Sequence, residues 1–572
     1  MWNQSKIGTM TYGDNFDEMV YNFYENYLRE RGIQRNLDEL FEPNESSVLD
    51  PILMKNLVPV ANRIYQAIIN EENITISSDP DVDGITSTLC MYKFLLGYLP
   101  KEKITIIYHE RSKGHGIQNQ VDFLDKEWTD LLIVVDSSSS EESFDVIEDI
   151  LLSGVEVVVI DHHECDGNHP TLLVNPNQKG CNYPNKDLSG VGVVFKVIEY
   201  ISNEFLDDNY YLQFLDLVAV GLIGDVMSLA SMENRWYISE GLRNIKDDGL
   251  KRILKSKSIN ERNVATDTVS FTLAPLINGV LRMDSIETVL YFFFHDFGDK
   301  NRYHIKVFRE LEDINEKRRE IQDELTERYR DCIVYNKEIL IAIGDFKSTA
   351  FNGIVAQNLS EEFGKTAFVV RNKKGVCRGS FRGYGYDVRK HFSGCEAITT
   401  YGHPMAGGIK FNIEDLEVVK DYCNQTFVEG EIKVFDGEFD LYLDVEDMTI
   451  ENAELMNKIN FLTGRDFPKI VFRVDEVQIE SRNVIGKGNT VKFISSNDSN
   501  MIDFLKFRTD ETYFEHIDYL SEADFIGEFN LNSWYDFKNK KTIKTPQLFI
   551  TDIIEKESWE DDFDDLFENF FD

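Results

Sequence analysis

The chain has 572 residues, 42% apolar and 12% aromatic, enough for a large core and, at about 150 residues per domain, for three or four domains. Against 60 Lys and Arg stand 101 Asp and Glu, a formal net charge of −41 that argues against a protein coating nucleic acid non-specifically or docking on an anionic membrane. No apolar run approaches the roughly 18 residues of a transmembrane helix, and the N-terminus has neither the basic region nor the apolar core of a signal peptide. Seven scattered cysteines without a CxxC pair argue against a Cys-based zinc site and point to a reducing cytoplasm.

In chain order, residues 1–70 read as helices, with turn signals at Arg31-Gly32 and Glu42-Pro43-Asn44. From 74 to about 230 short apolar runs appear at Ile74–Ile76, Ile104–Tyr108, Leu131–Val135, Val155–Ile160 and Leu217–Ile223, separated by helix-like segments. That alternation predicts a doubly wound, mostly parallel sheet. Residues 240–330 read as helical and end in a charged stretch, 308–330, whose Glu/Arg pairs at helical spacing predict a long connecting helix. A second α/β block begins with a strand at Glu338–Ile343 and runs to about 425. From 432 to 555 the pattern is mainly β, with strands expected at Phe439–Val445 and Lys469–Val477. The last sixteen residues, from Glu557, carry eight acids and no base, interleaved with Trp559, Phe563, Leu566, Phe567, Phe570 and Phe571.

The chemistry is concentrated where apolar runs end. Asp79, Asp81 and Asp83 follow the first, Asp136 follows LLIVV, Asp161-His162-His163 follows VEVVVI, and Asp225 follows LVAVGLIG. One such Asp is ordinarily the N-cap of the next helix. Four clusters in succession are better explained by convergence, because in a parallel sheet every carboxyl end lies on one edge, where ligands bind. Six carboxylates and two imidazoles there require cations. Oxygen ligands suit hard divalent ions and imidazole shifts the preference toward Mn²⁺, with Mg²⁺ second. Two such ions can activate water for phosphoryl displacement, so a phosphoesterase is expected.

With those clusters in that order, the sequence resembles the DHH phosphoesterases, and within them the RecJ branch of single-strand-specific DNA exonucleases. Asp79 to Ser87 is similar to the first family motif, Asp136 to the second, Asp161-His162-His163 to the naming triplet and Gly224-Asp225-Val226 to the fourth. Arg31-Gly32-Ile33 and 50–68 resemble the lead-in, 271–282 the linker motif ending in Arg282, and 315–319 the start of the connecting helix. Gly353 to Ala356, Arg378 to Arg382 and Tyr401 to Gly408 resemble the companion DHHA1 domain. The chain departs from the family at Ser78, at Ser137 to Ser140, at Ser228, at Leu281 and at Tyr401, none of which removes a ligand-type side chain.

The resemblance implies six parts: a helical lead-in over 1–70, a DHH domain over 71–300, a connecting helix over 301–335, a DHHA1 domain over 336–428, an OB-like β domain over 432–555, and an acidic aromatic tail over 556–572. It implies metal ligation by Asp81, Asp83, Asp136, His162 and Asp225, with Asp136 bridging two ions and Asp79 an outer ligand or loop anchor. His163 would contact the scissile phosphate or act as an acid, and Asp161 would orient an imidazole. Substrate contacts fall on Arg282, Arg378, Ser380, Arg382, Gly402, His403, Gly407 and Gly408. His109 and His115, flanking Arg111 and Lys113, are further candidates for reaching substrate, whereas Ser137 to Ser140 read as a hydrogen-bonding turn.

The charge map qualifies the acidity. Between Lys365 and Lys390 stand eight bases and one acid, with Phe381, Tyr384 and Tyr386 among them, a pattern suited to a groove that tracks and stacks a single strand. The expected activity is metal-dependent hydrolysis of single-stranded DNA, 5′→3′ by the resemblance, releasing 5′-mononucleotides in DNA repair, recombination or replication. A monomeric cytoplasmic enzyme is expected, with the tail recruiting a single-strand-binding protein or helicase component, or else solubilising the chain. Two other readings stand: a phosphodiesterase for cyclic dinucleotides or short oligonucleotides, whose relatives are shorter, and a non-catalytic replication scaffold, whose relatives have lost ligands kept here.

Overall fold

The computed structural model describes residues 15–33, 36–165, 167–294, 301–345, 351–384, 386–402, 405–426, 439–485, 490–507, 509, 522–536 and 539–554. They divide into two compact units: Glu45–Met227 with Ser231–Val434, and Asn3–Asn44 with Ser228–Ala230 and Phe435–Asp572. The expected lead-in thus contributes helix Leu57–Ile69 to the first unit and helix Phe16–Glu30 to the second.

The first unit is organised by a five-stranded sheet, β1 (Ile74–Ser78), β2 (Ile104–Tyr108), β3 (Leu131–Val135), β4 (Glu156–Ile160) and β5 (Leu172–Val174), in the order β2-β1-β3-β4-β5. Every pairing is parallel. Strands β1 and β3 are buried along their whole length, which is why β3 reads as an unbroken apolar run, while the edge strand β2 exposes Thr105. Two polar side chains inside β1 find partners: Thr75 pairs with Thr129, and Ser77 donates to Gln120. The strand order reverses between β1 and β3, the crevice where open α/β sheets bind ligands.

The run Leu217–Ile223, expected as a fifth buried strand, is instead part of the helix Leu215–Gly224. It is apolar all round because it packs between helices Val82–Leu96 and Met232–Arg243. A helix buried on every face has the same periodicity as a buried strand. Two glycines allow the close approach: a Cβ on Gly221 would meet Val191, Asp83 and Thr86, and one on Gly241 would meet the Leu215 backbone.

The 30-residue helix Asn301–Arg330 leads into a mixed six-stranded sheet, β6 (Ile333–Asn336), β7 (Leu340–Gly344), β8 (Ala367–Lys373), β9 (Val376–Arg382), β10 (Ile398–Gly402) and β11 (Ala406–Asn412), ordered β10-β11-β9-β8-β7-β6. Its core gathers Ile341, Phe368, Val370, Phe381, Phe392, Ile409 and Phe411.

In the second unit, β12 (Leu441–Tyr442), β13 (Val471–Gln478), β14 (Ser481–Ile485), β15 (Thr490–Ser496), β16 (Met501–Phe507), β17 (Glu522–Asp536) and β18 (Lys541–Ile554) form one sheet, β12-β13-β17-β18-β16-β15-β14. The strand expected over Phe439–Val445 is reduced to β12, because a 3-10 turn at Val445–Asp447 and the helix Ile450–Asn460 take over the chain. Helix Phe16–Glu30 packs on this sheet through Phe16, stacked on Phe472 at 6.1 Å, while Tyr24 stacks on Phe467 at 4.4 Å and donates to the Pro468 carbonyl. Each such aromatic pair contributes roughly 0.5–1.5 kcal/mol beyond its buried area. The tail 556–572 lies outside the described residues. Among the described residues no helix is long and apolar enough to cross a membrane, and all seven cysteines are free.

Candidate metal centre

Asp79 and Asp136 leave the carboxyl ends of neighbouring strands β1 and β3 at the crevice, and Asp161 leaves the adjacent β4. The loop after β1 turns at once into helix Val82–Leu96, with Asp81 as its N-cap accepting from Gly84 N–H at 3.0 Å. The capping role and the site role therefore coincide in Asp81. Asp83 lies in the first turn of the same helix and is buried. Its carboxylate accepts from the backbone N–H groups of Gly190 and Val191, at the start of helix Gly190–Ile201. Asp225 sits at the C-terminal end of helix Leu215–Gly224.

These side chains converge on one atom. His162 Nε2 lies 3.3 Å from Asp225 Oδ2, 3.4 Å from Asp136 Oδ1 and 3.7 Å from Asp83 Oδ2. Both His162 Nε2 and Asp136 Oδ1 are buried and form no hydrogen bond among the described residues. Two buried polar atoms aimed at one point without a donor or acceptor are costly unless a cation fills the space. Three groups of side chains could hold an ion: Asp83, His162 and Asp225; Asp136, Asp161, His162 and His163; and Asp79, Asp81 and His115.

The electrostatics favour a cation among these carboxylates. Burial, then the charges of Asp83 and Asp81, push Asp225 up to about 8. Burial and Asp83 likewise raise Asp136 well above the carboxylate range, and burial raises Asp83. Burial and the neighbouring His163 hold the His162 ring below its ordinary value, so its nitrogen lone pair is available. Asp136 also adopts φ +57°, a left-handed conformation that strains a non-glycine residue and is found at functional sites.

Asp161 points its carboxylate inward to the loop. It accepts from Ser139 N–H at 3.0 Å, His162 N–H at 2.7 Å, and His163 Nδ1 at 2.8 Å. Burial opposes the charged ring of His163, yet Asp161 raises it to about 10. The ring is half exposed and cationic at neutral pH, facing the site.

The Ser137 to Ser140 run is an irregular loop hydrogen-bonded to its neighbours: Ser138 Oγ accepts from Ile117 N–H and Ser139 N–H donates to Asp161. The two other histidines part company. His109 is buried, bonds the Gly114 carbonyl at 2.7 Å and braces its loop. His115 is half exposed and pairs with the buried Asp79 at 2.5 Å. Arg111 was legible only as a flanking base, but it donates to the Pro80 carbonyl at 2.6 Å and lies 3.5 Å from Asp81.

Arg111 also belongs to a cationic group. Burial, then Arg111, Arg382 and Arg318, lower the Arg282 guanidinium to about 10, with Asp81 opposing. On β9, alternation places Arg378, Ser380 and Arg382 on one face and Cys377 and Phe381 on the other. Phe381 is fully buried in the core and so offers no stacking face, Tyr386 packs partly into the same core, and Tyr384 is half-buried. Gly407 and Gly408 pair with Gly402 and Tyr401 across β10 and β11, and a Cβ on either would strike Tyr401. Gly402 has φ +95°. His403 lies outside the described residues.

Residues 73–222 match the DHH family, N-terminal domain, and residues 439–550 match the RecJ OB domain. In both regions the chain is similar to RecJ-type proteins of the DHH family. The chain is 29% identical over 544 residues to the single-stranded-DNA-specific exonuclease RecJ of Bacillus subtilis, covering 90% of this chain and 67% of that protein. It is 28% identical to the putative single-strand DNA-specific exonuclease YorK of the SPbeta prophage of Bacillus subtilis, covering 94% and 96%. In fold it resembles RecJ of Thermus thermophilus in complex with Mn²⁺, with a TM-score of 0.68 at 20% identity over 94% of this chain and 76% of that one.

Proposed function

We propose that this protein is a divalent-metal-dependent exonuclease that hydrolyses single-stranded DNA from the 5′ end, releasing 5′-mononucleotides. The observation that carries the reading is His162 Nε2 ringed by Asp83, Asp136 and Asp225 at the strand crevice, beside an arginine group. The relatives named as single-stranded-DNA-specific exonucleases support the substrate class.

Asp81, Asp83, Asp136, His162 and Asp225 would hold two divalent ions, Mn²⁺ first and Mg²⁺ second, with Asp79 supporting the loop from behind. Bound there, the ions supply an activated water and neutralise the charge that develops on the phosphate. The chain's own contribution is orientation. Asp161 fixes the His163 ring by its Nδ1–H, leaving the Nε2–H to donate to a phosphate oxygen or to the leaving 3′ oxygen. Arg111, Arg282 and Arg382 form a local positive field for a terminal phosphate, with Arg378 and Ser380 continuing the same β9 face along the strand. A phosphate held at one fixed distance from the ions would set the cut one nucleotide from the end.

A monomeric, cytoplasmic enzyme whose acidic aromatic tail recruits a single-strand-binding protein or helicase component completes the reading, supported by the tail's composition. The test is digestion of end-labelled single-stranded and double-stranded DNA with Mn²⁺, Mg²⁺ or EDTA, with Asp136→Ala as control. Mononucleotides released from the 5′ end of the single strand, and lost in the variant, are expected. Release from the 3′ end alone overturns the polarity, and full activity in Asp136→Ala overturns the site.

A further inference from the structure

The DHH triplet is gripped from two sides, and only one grip comes from the triplet itself. Asp161 takes the amides of His162 and His163. The carbonyls of the same two residues are taken by the loop after β5, in the sequence Asn175-Pro176-Asn177. Asn175 Nδ2 donates to the His163 carbonyl at 2.9 Å and to Ser139 Oγ at 2.9 Å. Asn177 Nδ2 donates to the His162 carbonyl at 2.7 Å. The orientation of the Asn175 amide is fixed independently, because its Oδ1 accepts from Asn177 N–H at 2.7 Å.

Ser139 joins the two grips, since its own N–H donates to Asp161 Oδ2. The loops after β3, β4 and β5 are therefore one closed hydrogen-bonded ring around the backbone that carries His162 and His163. Asn175 is fully buried, so each of its amide hydrogens needs a partner inside the ring. Asn177 is exposed, and its grip on the His162 carbonyl costs no burial.

We infer that Asn175 and Asn177 are positioning residues for the metal centre: by holding the His162 and His163 carbonyls they set where the His162 imidazole meets the Asp83, Asp136 and Asp225 carboxylates, and so set affinity for a divalent ion. This rests on the metal-centre reading proposed above. Outer groups that orient a ligand typically account for about 10–100-fold in metal affinity.

The test is Mn²⁺ titration of the full chain by calorimetry, without DNA, for wild type, Asn177→Asp, Asn175→Ala and Asp136→Ala. Thermal unfolding of each in EDTA runs alongside. Asn177→Asp replaces the amide donor by a carboxylate oxygen at an exposed position, so its fold is preserved. The expected result is Mn²⁺ binding at least tenfold weaker in Asn177→Asp and Asn175→Ala, an unchanged unfolding midpoint in EDTA for Asn177→Asp, and nuclease activity recovered by raising Mn²⁺. Wild-type Mn²⁺ affinity in folded Asn177→Asp overturns the inference while leaving the metal centre intact, provided Asp136→Ala has lost binding. Wild-type affinity in Asp136→Ala overturns the metal-centre reading itself. If Asn175→Ala fails to fold, Asn177→Asp decides.

Discussion

Gly190 is the sharpest place to test the geometry of the centre. It opens helix Gly190–Ile201, its N–H donates to Asp83, and its Cα faces Asp136. A Cβ built there lies 2.7 Å from both Asp136 Cβ and Cγ, and in contact with Oδ1. Ordinary carbon contacts sit near 3.5 Å, so Gly190→Ala must move Asp136 or the helix by about 1 Å. Asp136 has little freedom to give: it is buried and already at φ +57°. Overpacking of this kind costs about 1–3 kcal/mol of stability, and a misplacement of about 1 Å costs about 100-fold in rate. Gly192→Ala is the matched control in the same helix, since its Cβ meets only the Leu188 side chain, at 3.0 Å. Initial rates on a 5′-labelled single strand and Mn²⁺ calorimetry should show Gly190→Ala reduced about 100-fold with weakened metal binding and Gly192→Ala near wild type. Wild-type turnover and Mn²⁺ affinity in Gly190→Ala would refute the placement of Asp136.

Metal binding should release protons, because Asp225 titrates at about 8 and Asp83 and Asp136 are raised with it. Mn²⁺ affinity should therefore fall about tenfold per pH unit below 8 for each proton expelled, and a flat profile from pH 6 to 9 would contradict it. Asp161→Asn removes the charge that holds His163 at about 10, so the alkaline limb of the rate profile should move to lower pH and kcat should drop about 10–100-fold. A limb that stays in place would show that His163 is not the group observed. Arg282→Ala and Arg382→Ala should each raise KM about 10–100-fold, the worth of one hydrogen bond to a charged group, and narrow the preference for 5′-phosphorylated over 5′-hydroxyl ends. Equal loss on both substrates would place these arginines elsewhere on the strand.

Strands β3 and β4 are legible because both faces of a parallel strand are buried, which leaves apolar runs ending in Asp136 and Asp161; β1, ending in Asp79, carries the same signal only in Ile74 and Ile76. The same signal misled at Leu217–Ile223, where neighbouring helices supply the burial that a sheet would have supplied. Asp225 still arrives at the centre, because a helix C-terminus and a strand end can occupy the same edge. Phe381 was misjudged because β alternation places it opposite Arg378, Ser380 and Arg382, and a run of bases and aromatics carries no indication of which face is which. Asn175, Asn177 and Arg111 were not legible as site residues, because their parts depend on backbone carbonyls, and carbonyl positions leave no trace in residue identity.

The convergence of Asp83, Asp136 and Asp225 on His162 has a consequence for the protein before any ion arrives. A carboxylate whose folded pKa is raised binds more protons folded than unfolded, so its contribution to stability falls as pH rises from about 4 to about 8. The metal-free fold is thus held in a state that neutral pH penalises, and the ion acts as the last structural component of the crevice as well as its reagent. Growth in a metal-poor medium should yield a chain that is easier to unfold and to proteolyse, with cellular abundance following the supply of manganese.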